Sequence, residues 1–455
     1  MRVLRTCLKF IAGAAVVLIT TSDARTETFN LEAKRLPSSY TAVRSSEDAA
    51  FMSRSYQRFY TRDGSFVRTP GQTDFSKVVV KEPKYEYARP FKGVAKLGTK
   101  EFGFAFDVAS STPATTGSSR VRYTHFYFDS NGNGDLTDDK AVEAESKSSS
   151  YSYFPRVDVT LDVDGTQMEY SFYMRTYSSS SGYGYAYLYG AAYREGEITL
   201  NGEKKRIVLV DSNSNAQFND ATGDMIFIDP DLSKGVYAYS DMTMNDDQQP
   251  VGKLVNIDGR FYGMELSPAG DKLTLTPSSA PVGYVSNSNK GFRALVHGDQ
   301  GILKISAGES GKSPLPVGDW KLLSYTIDGT VTPETKEEES SLLNTLSEAL
   351  VQSNSSASPR WSFISARPKN DFTVVNVREG ETVDLPFGPP FKPMVRVSRT
   401  SGSSGNRVAY LSLSLVGTGG EVVSNIMVNG SRPKEPEFTI TSAEEKVAQG
   451  KFRYG

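Results

Sequence analysis

The sequence predicts a multidomain, mainly all-β protein built from antiparallel, hairpin-rich sheets and β-sandwiches. Three observations carry that expectation. Apolar residues mostly alternate with polar ones instead of recurring at helical spacing. The chain is rich in strand and turn formers, with 24 Tyr, 24 Phe, 39 Gly and 22 Pro. Asp-Gly and Asn-Gly pairs stand where the alternating runs reverse, as two-residue turns with positive φ require. The 455 residues accommodate roughly three domains at ~150 residues each.

At the start of the chain, Arg2, Arg5 and Lys9 precede the apolar run Phe10 to Ile19, and Ser22, Asp23 and Ala24 supply residues suited to cleavage. Residues 1–24 therefore read as a secretory signal cleaved near Ala24. The apolar run is about half the ~20 residues a spanning helix needs. No later segment reaches that length, so no transmembrane segment is expected in the mature chain. Cys7 is the one cysteine and leaves with the signal. A secreted, periplasmic or cell-surface protein without disulfides must be held by core burial or by bound ions. Basic and acidic residues number 51 and 53, and losing Arg2, Arg5, Lys9 and Asp23 leaves 48 and 52. That balance offers no basic field to a nucleic acid.

Residues 25–90 read as an N-terminal segment, partly helical or irregular, with a short helix from Ser46 to Phe59. Residues 91–290 read as a hairpin-rich domain. Folding at Asp164-Gly165 pairs Leu161 with Met168, Val159 with Tyr170 and Val157 with Phe172, all on one face, so the register is self-consistent. Asn201-Gly202 and Asp258-Gly259 mark similar turns. Residues 291–392 read as a sandwich with a helical insertion near 336–352, where Leu343, Leu346 and Leu350 recur at helical spacing behind glutamates that suit a helix N-terminus. Residues 393–455 read as a module of short strands.

The clearest chemistry lies in two loops. Residues 129–139 read D-S-N-G-N-G-D-L-T-D-D, and 211–220, 82 positions on, read D-S-N-S-N-A-Q-F-N-D. Oxygen-bearing side chains at every second position, closed by carboxylates, form a ligand set for a hard cation such as Ca2+. The candidate ligands are Asp129, Asn131, Asn133, Asp135 and Asp138 or Asp139 in the first loop, and Asp211, Asn213, Asn215 and Asn219 or Asp220 in the second. Both loops follow strand-like runs, Thr124 to Phe128 and Arg206 to Val210. The bland alternative is an Asx-rich surface turn. A third cluster, Asp229, Asp231 and Ser233, lacks the glycine and the closing carboxylates and reads as a decayed loop or an ordinary turn.

The first loop resembles the EF-hand and dockerin type over its first seven positions, with glycine at position six. That resemblance implies one or two structural calcium ions but no fold, since strands enter both loops. It departs at position twelve, where Lys140 cannot ligate. The second loop has Ala216 where the glycine belongs. Residues 315–322, L-P-V-G-D-W-K-L, resemble the strand entry of transthyretin-like and carboxypeptidase-regulatory-like sandwiches, with Phe372 to Gly388 compatible with two later strands. The strands from Pro393 onward resemble an immunoglobulin-like sandwich. These modules imply adhesive or structural roles.

Two further segments bear on ligands. Residues 306–313, S-A-G-E-S-G-K-S, approach a phosphate-binding loop, but Pro314 and Pro316 forbid the helix that would hold phosphate, so no nucleotide is expected. Tyr183, Tyr185, Tyr187 and Tyr189 fall on one strand face as a possible ligand surface, with a packed aromatic ladder as the alternative. Catalytic motifs are missing from the sequence: His125 and His297 are the only histidines and no G-x-S-x-G or H-E-x-x-H occurs. The favoured reading is an exported, calcium-stabilised binding protein of a surface, envelope or matrix, with a polysaccharide or an envelope or matrix protein as partner. The rival is a secreted carbohydrate-active hydrolase whose two carboxylates no spacing singles out.

Overall fold

Turn chemistry fixes the hairpins. Asp164 and Gly165, Asn201 and Gly202, and Asp258 and Gly259 all adopt positive φ, the left-handed conformation that Asn, Asp and Gly tolerate best. The first of these turns sets the register Leu161 to Met168, Val159 to Tyr170 and Val157 to Phe172, and all six side chains are buried in one core. The computed structural model describes residues 25–43, 47–62, 65–66, 73–108, 121–147, 150–179, 183–221, 223–232, 245–307, 310–329, 362–369, 374–401, 407–428, 430–443 and 445–454. The signal segment 1–24, the helix expected near 336–352 and Ser233 lie outside them. With about 57% strand against 4% helix, the fold is all-β. Among the described residues no helix is long and apolar enough to cross a membrane.

Four sheets share the first core. The largest runs Ser65–Phe66, Gln57–Arg62, Tyr183–Gly190, Thr166–Ser178, Tyr151–Tyr153 and Ser146–Lys147, with Val157–Val163 also on Thr166–Ser178. Beside it lie Gln248–Pro250, Met225–Ile228, Glu203–Val210, Ala192–Leu200 and Glu32–Arg35. The third sheet is Phe91–Leu97, Lys100–Asp107, His125–Phe128 and Val142–Glu143; the fourth is Glu27–Asn30, Lys272–Pro277, Arg260–Leu266 and Leu254–Ile257. Phe91, Phe104, Phe106, Phe126, Phe154, Tyr170 and Phe172 fill the space between them. Burying rings of this size supplies most of the driving force, at roughly 25 cal/mol per Å² removed from water.

The N-terminal segment is partly helical, at Tyr40–Val43 and Phe75–Val78, but departs from expectation between them. In place of a helix from Ser46 to Phe59 there is a 3-10 turn at Glu47–Phe51 and a strand at Gln57–Arg62. Glu27–Asn30, Glu32–Arg35 and Gln57–Arg62 each join a sheet of the 91–290 region, so residues 25–90 are woven into that unit. Alternation in Q-R-F-Y-T-R, with Phe59 and Thr61 buried, favours the strand over a helix whose apolar face would be broken.

A second core holds Phe292, Trp320, Tyr325 and Phe387. It lies between a sheet that includes Gly301–Ser306, Phe292–Gly298, Gly318–Asp328, Phe363–Pro368 and Glu421–Met427, and a smaller one of Lys312–Pro316, Val282–Ser286 and Thr382–Asp384. Trp320 anchors it, its indole donating to the Pro316 carbonyl at 2.8 Å. Val282–Ser286, ahead of the expected boundary at 290, lies in the smaller of these sheets, and Leu254 and Phe261 of the fourth sheet also join this core. The strand Lys312–Pro316 replaces the helix that a phosphate loop would need.

The C-terminal strands form where alternation places them but, among the described residues, close no sandwich of their own. Lys392–Ser401, Arg407–Val416 and Glu421–Met427 extend the larger sheet through pairing with Phe363–Pro368. Glu437–Ser442 and Glu445–Lys451 make a separate two-stranded hairpin. Among the described residues beyond Phe387, the partly buried Val423 is the one that belongs to a core cluster. Val395, Val397 and Tyr410 are exposed instead.

Close backbone approach in the second unit gives a sharp stability test. A Cβ on Gly283 would stand 2.1 Å from the Arg378 carbonyl oxygen, whereas one on Gly263 would meet nothing nearer than 3.6 Å. Gly283→Ala is expected to cost about 2 kcal/mol through forced backbone movement, and Gly263→Ala far less. Equal urea midpoints for the two variants would contradict this packing.

Candidate metal centres and an aromatic sheet face

Both Asx loops connect a strand to its antiparallel return. His125–Phe128 enters the first and Val142–Glu143 leaves it; Glu203–Val210 enters the second and Met225–Ile228 leaves it. Side-chain oxygens then wind each loop by accepting its own backbone amides. Asp129 accepts from Asn133 and Gly134 at 3.0 and 2.9 Å, and Asp211 from Asn215 and Ala216 at 3.3 and 2.7 Å. Asn131 and Asn213 accept the same Asn133 and Asn215 amides. Asn133 and Asn215 in turn accept from Asp135 and Gln217.

The closing acids match as well. Asn131 and Asn133 both donate to Asp138 Oδ2, and Asn213 and Asn215 both donate to Asp220 Oδ2. Ser130 and Ser212 donate their backbone amides to Asp139 and to Asp224 respectively. Asp224 is thus the counterpart of Asp139, displaced by the inserted residues 221–223. It lies three positions further along than its counterpart, outside the spacing that the first loop sets. Position six needs positive φ in both loops, at Gly134 (81°) and Ala216 (61°). Ala216 meets that need at a cost of roughly 1 kcal/mol, so the missing glycine leaves the loop geometry intact.

Asp129, Asn131, Asn133 and Asp138 therefore converge, as do Asp211, Asn213, Asn215 and Asp220. Asp135 points into a different interaction, with Lys81 Nζ at 2.7 Å and Thr137; its hydrogen bond to Lys81 is the main reason its pKa falls to about 2. Asn219 is exposed. Burial raises the Asp139 pKa, and one of its oxygens is buried without a hydrogen-bond partner. Asp229, in the third acidic cluster, caps an ordinary turn through the Arg206 amide and Lys205.

The loops differ in depth. The second is locked into the interior by Tyr170, whose hydroxyl donates to Asp211 at 2.7 Å, and by Ser214, which donates to the Ser55 carbonyl. Asp211 and Asp224 are both 0% exposed, and neither forms an ion pair with a described lysine or arginine. Burial is the largest cause pushing both carboxyls up, and the Asp211 charge adds to the rise at Asp224. Both loops also touch one turn: Gly98 donates its amide to the Asn215 carbonyl, and Lys100 its ammonium to that of Asn131. Among the described residues, no group of three or more His, Cys, Asp or Glu side chains is assembled to hold a metal. Each loop instead combines acids with asparagine amides.

The tyrosine run forms the strand Tyr183–Gly190. Gly184, Ala186 and Leu188 face the core, while Tyr183, Tyr185 and Tyr187 are half-buried and Tyr189 is buried. The ladder extends across neighbouring strands to Tyr60, Tyr177 and Tyr151. Tyr40 and Tyr56 close one end, against Tyr189. The strand run alone revealed four of these rings; the others needed the cross-strand register. No family model, curated protein or solved structure matches the chain.

Proposed function

We propose that the chain is an exported binding protein of a surface, envelope or matrix, that calcium staples its Asx loops, and that the tyrosine sheet face is its ligand surface. The observation that carries the calcium reading is the pair of buried acids, Asp211 and Asp224, with no described cationic side chain against them. Isolated buried carboxylates cost several kcal/mol unless they are neutralised or bind a cation. A divalent ion would supply that compensation, with the Asp220 carboxylate and the Asn213 and Asn215 carbonyl groups as further oxygen donors. The matching geometry of the first loop extends the reading to Asp129, Asn131, Asn133 and Asp138. Two ions bracketing the Gly98 to Lys100 turn would tie the two loop-bearing sheets together in a mature chain that has no cysteine.

Thermal melting in EDTA and in millimolar calcium tests the reading. An ion present at 100-fold over its dissociation constant adds about 2.7 kcal/mol of stability, so the midpoint is expected to rise by several degrees. An unchanged midpoint would remove calcium from this account.

A further inference from the structure

Rows of side chains decide what the tyrosine face can hold. Pairing register sets Tyr60, Tyr185, Tyr177 and Tyr151 side by side across four strands, with successive ring centroids 5.0, 6.1 and 4.9 Å apart. The next row alternates Arg58, Tyr187, Arg175 and Tyr153. At about 4.8 Å per interstrand step, each row runs roughly 14 Å. That is a platform for several linked rings.

The cations are set for an incoming anion. The Arg175 guanidinium carbon lies 4.8 Å from the centre of the Tyr187 ring and 5.4 Å from that of Tyr151, and Arg58 lies over Tyr185. Neither arginine forms an ion pair with a described carboxylate, and Arg175 Nε is buried without a hydrogen-bond partner among the described residues. The charges acting on Tyr187 come from Arg175 and Arg58, with tyrosines as the other neighbours and no acid among them. A planar guanidinium packed on rings keeps its fork aimed and pairs well with a carboxylate.

We propose that this face binds an acidic polysaccharide of the uronate type, its sugar rings on the tyrosine row and its carboxylates on Arg58 and Arg175. The proposal rests on the reading of the chain as a binding protein. Charge density separates it from nucleic acid. A strand with one phosphate per about 3.4 Å would lay about four phosphates along roughly 14 Å, against two guanidinium groups. A polymer with one carboxylate per one or two rings matches them.

Calorimetric titration of the intact protein with a galacturonate hexamer, and with the same hexamer methyl-esterified, tests the proposal. The acid form is expected to bind at least about tenfold more tightly, and Arg175→Gln to remove about that factor for the acid form alone, as loss of a charged hydrogen bond implies. Tyr185→Ala is expected to weaken both forms and Tyr185→Phe neither, with unchanged melting midpoints reporting intact folds. Equal affinity for acid and ester, or an Arg175→Gln variant that binds normally, overturns the acidic class while leaving a sugar-binding face. Displacement of the hexamer by a lower concentration of single-stranded oligonucleotide assigns the face to nucleic acid instead. Failure of both hexamers to bind overturns the proposal, while the calcium part of the reading is judged separately by the melting midpoint.

Discussion

Asp211→Ala is expected to lower folding stability by about 4 kcal/mol. Its carboxylate accepts from the Tyr170 hydroxyl and from the backbone amides of Ser214, Asn215 and Ala216, at 2.7, 2.7, 3.3 and 2.7 Å. Alanine strands three buried donors at once, the Tyr170 hydroxyl and the Ser214 and Ala216 amides, while the Asn215 amide keeps Asn213 Oδ1; each costs roughly 1–3 kcal/mol, and partial rehydration holds the sum near the lower end of that range. Asp129 accepts two amides in its loop, and that of Asn133 also has Asn131 Oδ1, so Asp129→Ala is expected to cost half as much or less. Asp211→Asn separates the hydrogen bonds from the charge. In EDTA it is expected to cost less than alanine, because an acceptor oxygen remains and the repulsion with Asp224 is relieved. Millimolar calcium should widen the gap between wild type and Asp211→Asn, since the variant has lost a charged ligand. Urea denaturation in both conditions reads these differences. An Asp211→Ala cost no larger than that of Asp129→Ala would contradict the hydrogen-bond assignment, and an Asn penalty indifferent to calcium would place no ion in the second loop.

Local chemistry made part of this molecule legible in its sequence. The Asp164-Gly165 hairpin is readable to the residue because a positive-φ turn and a period-2 apolar pattern fix the same register. The two loops are readable as alternating oxygen donors. Asp224 is not, since its place depends on three extra residues and on which amide it meets in space. The edge strands Glu27–Asn30 and Glu32–Arg35 are short, largely exposed and paired with partners far along the chain, Lys272–Pro277 and Ala192–Leu200. Nothing in E-T-F-N or E-A-K-R marks a strand until those partners are in place. The tyrosine face shows the same division. Spacing along one strand exposes Tyr183 to Tyr189, but the rows that bring Tyr60, Tyr151 and Arg175 beside them come from register across four strands.

A buried lysine in the second unit gives the other large effect, and its pH dependence has a definite sign. Lys304, on Gly301–Ser306, is buried and donates to the Gln248 backbone carbonyl at 3.1 Å. Both polar atoms of the fully buried Gln248 side chain lack a hydrogen-bond partner among the described residues. Burial is the main cause that lowers the lysine pKa from 10.5 to about 7; Asp246 and Asp247 oppose that shift, while Arg293 and Arg54 add to it. The folded state therefore holds fewer protons than the unfolded chain between these two values. Stability must rise with pH across that window, by up to about 1.4 kcal/mol per unit, and the full penalty applies below pH 7. Lys304→Met removes the ionisable group and keeps an unbranched apolar stem, at the loss of one donor to Gln248. It is expected to be more stable than wild type by about 3 kcal/mol at pH 6, with the advantage shrinking steadily toward pH 10. Urea midpoints of the two proteins at pH 6, 7.5 and 9 measure that closing gap. Parallel curves would mean that the ammonium stays charged in the fold, compensated by Asp246 and Asp247 more fully than its burial implies.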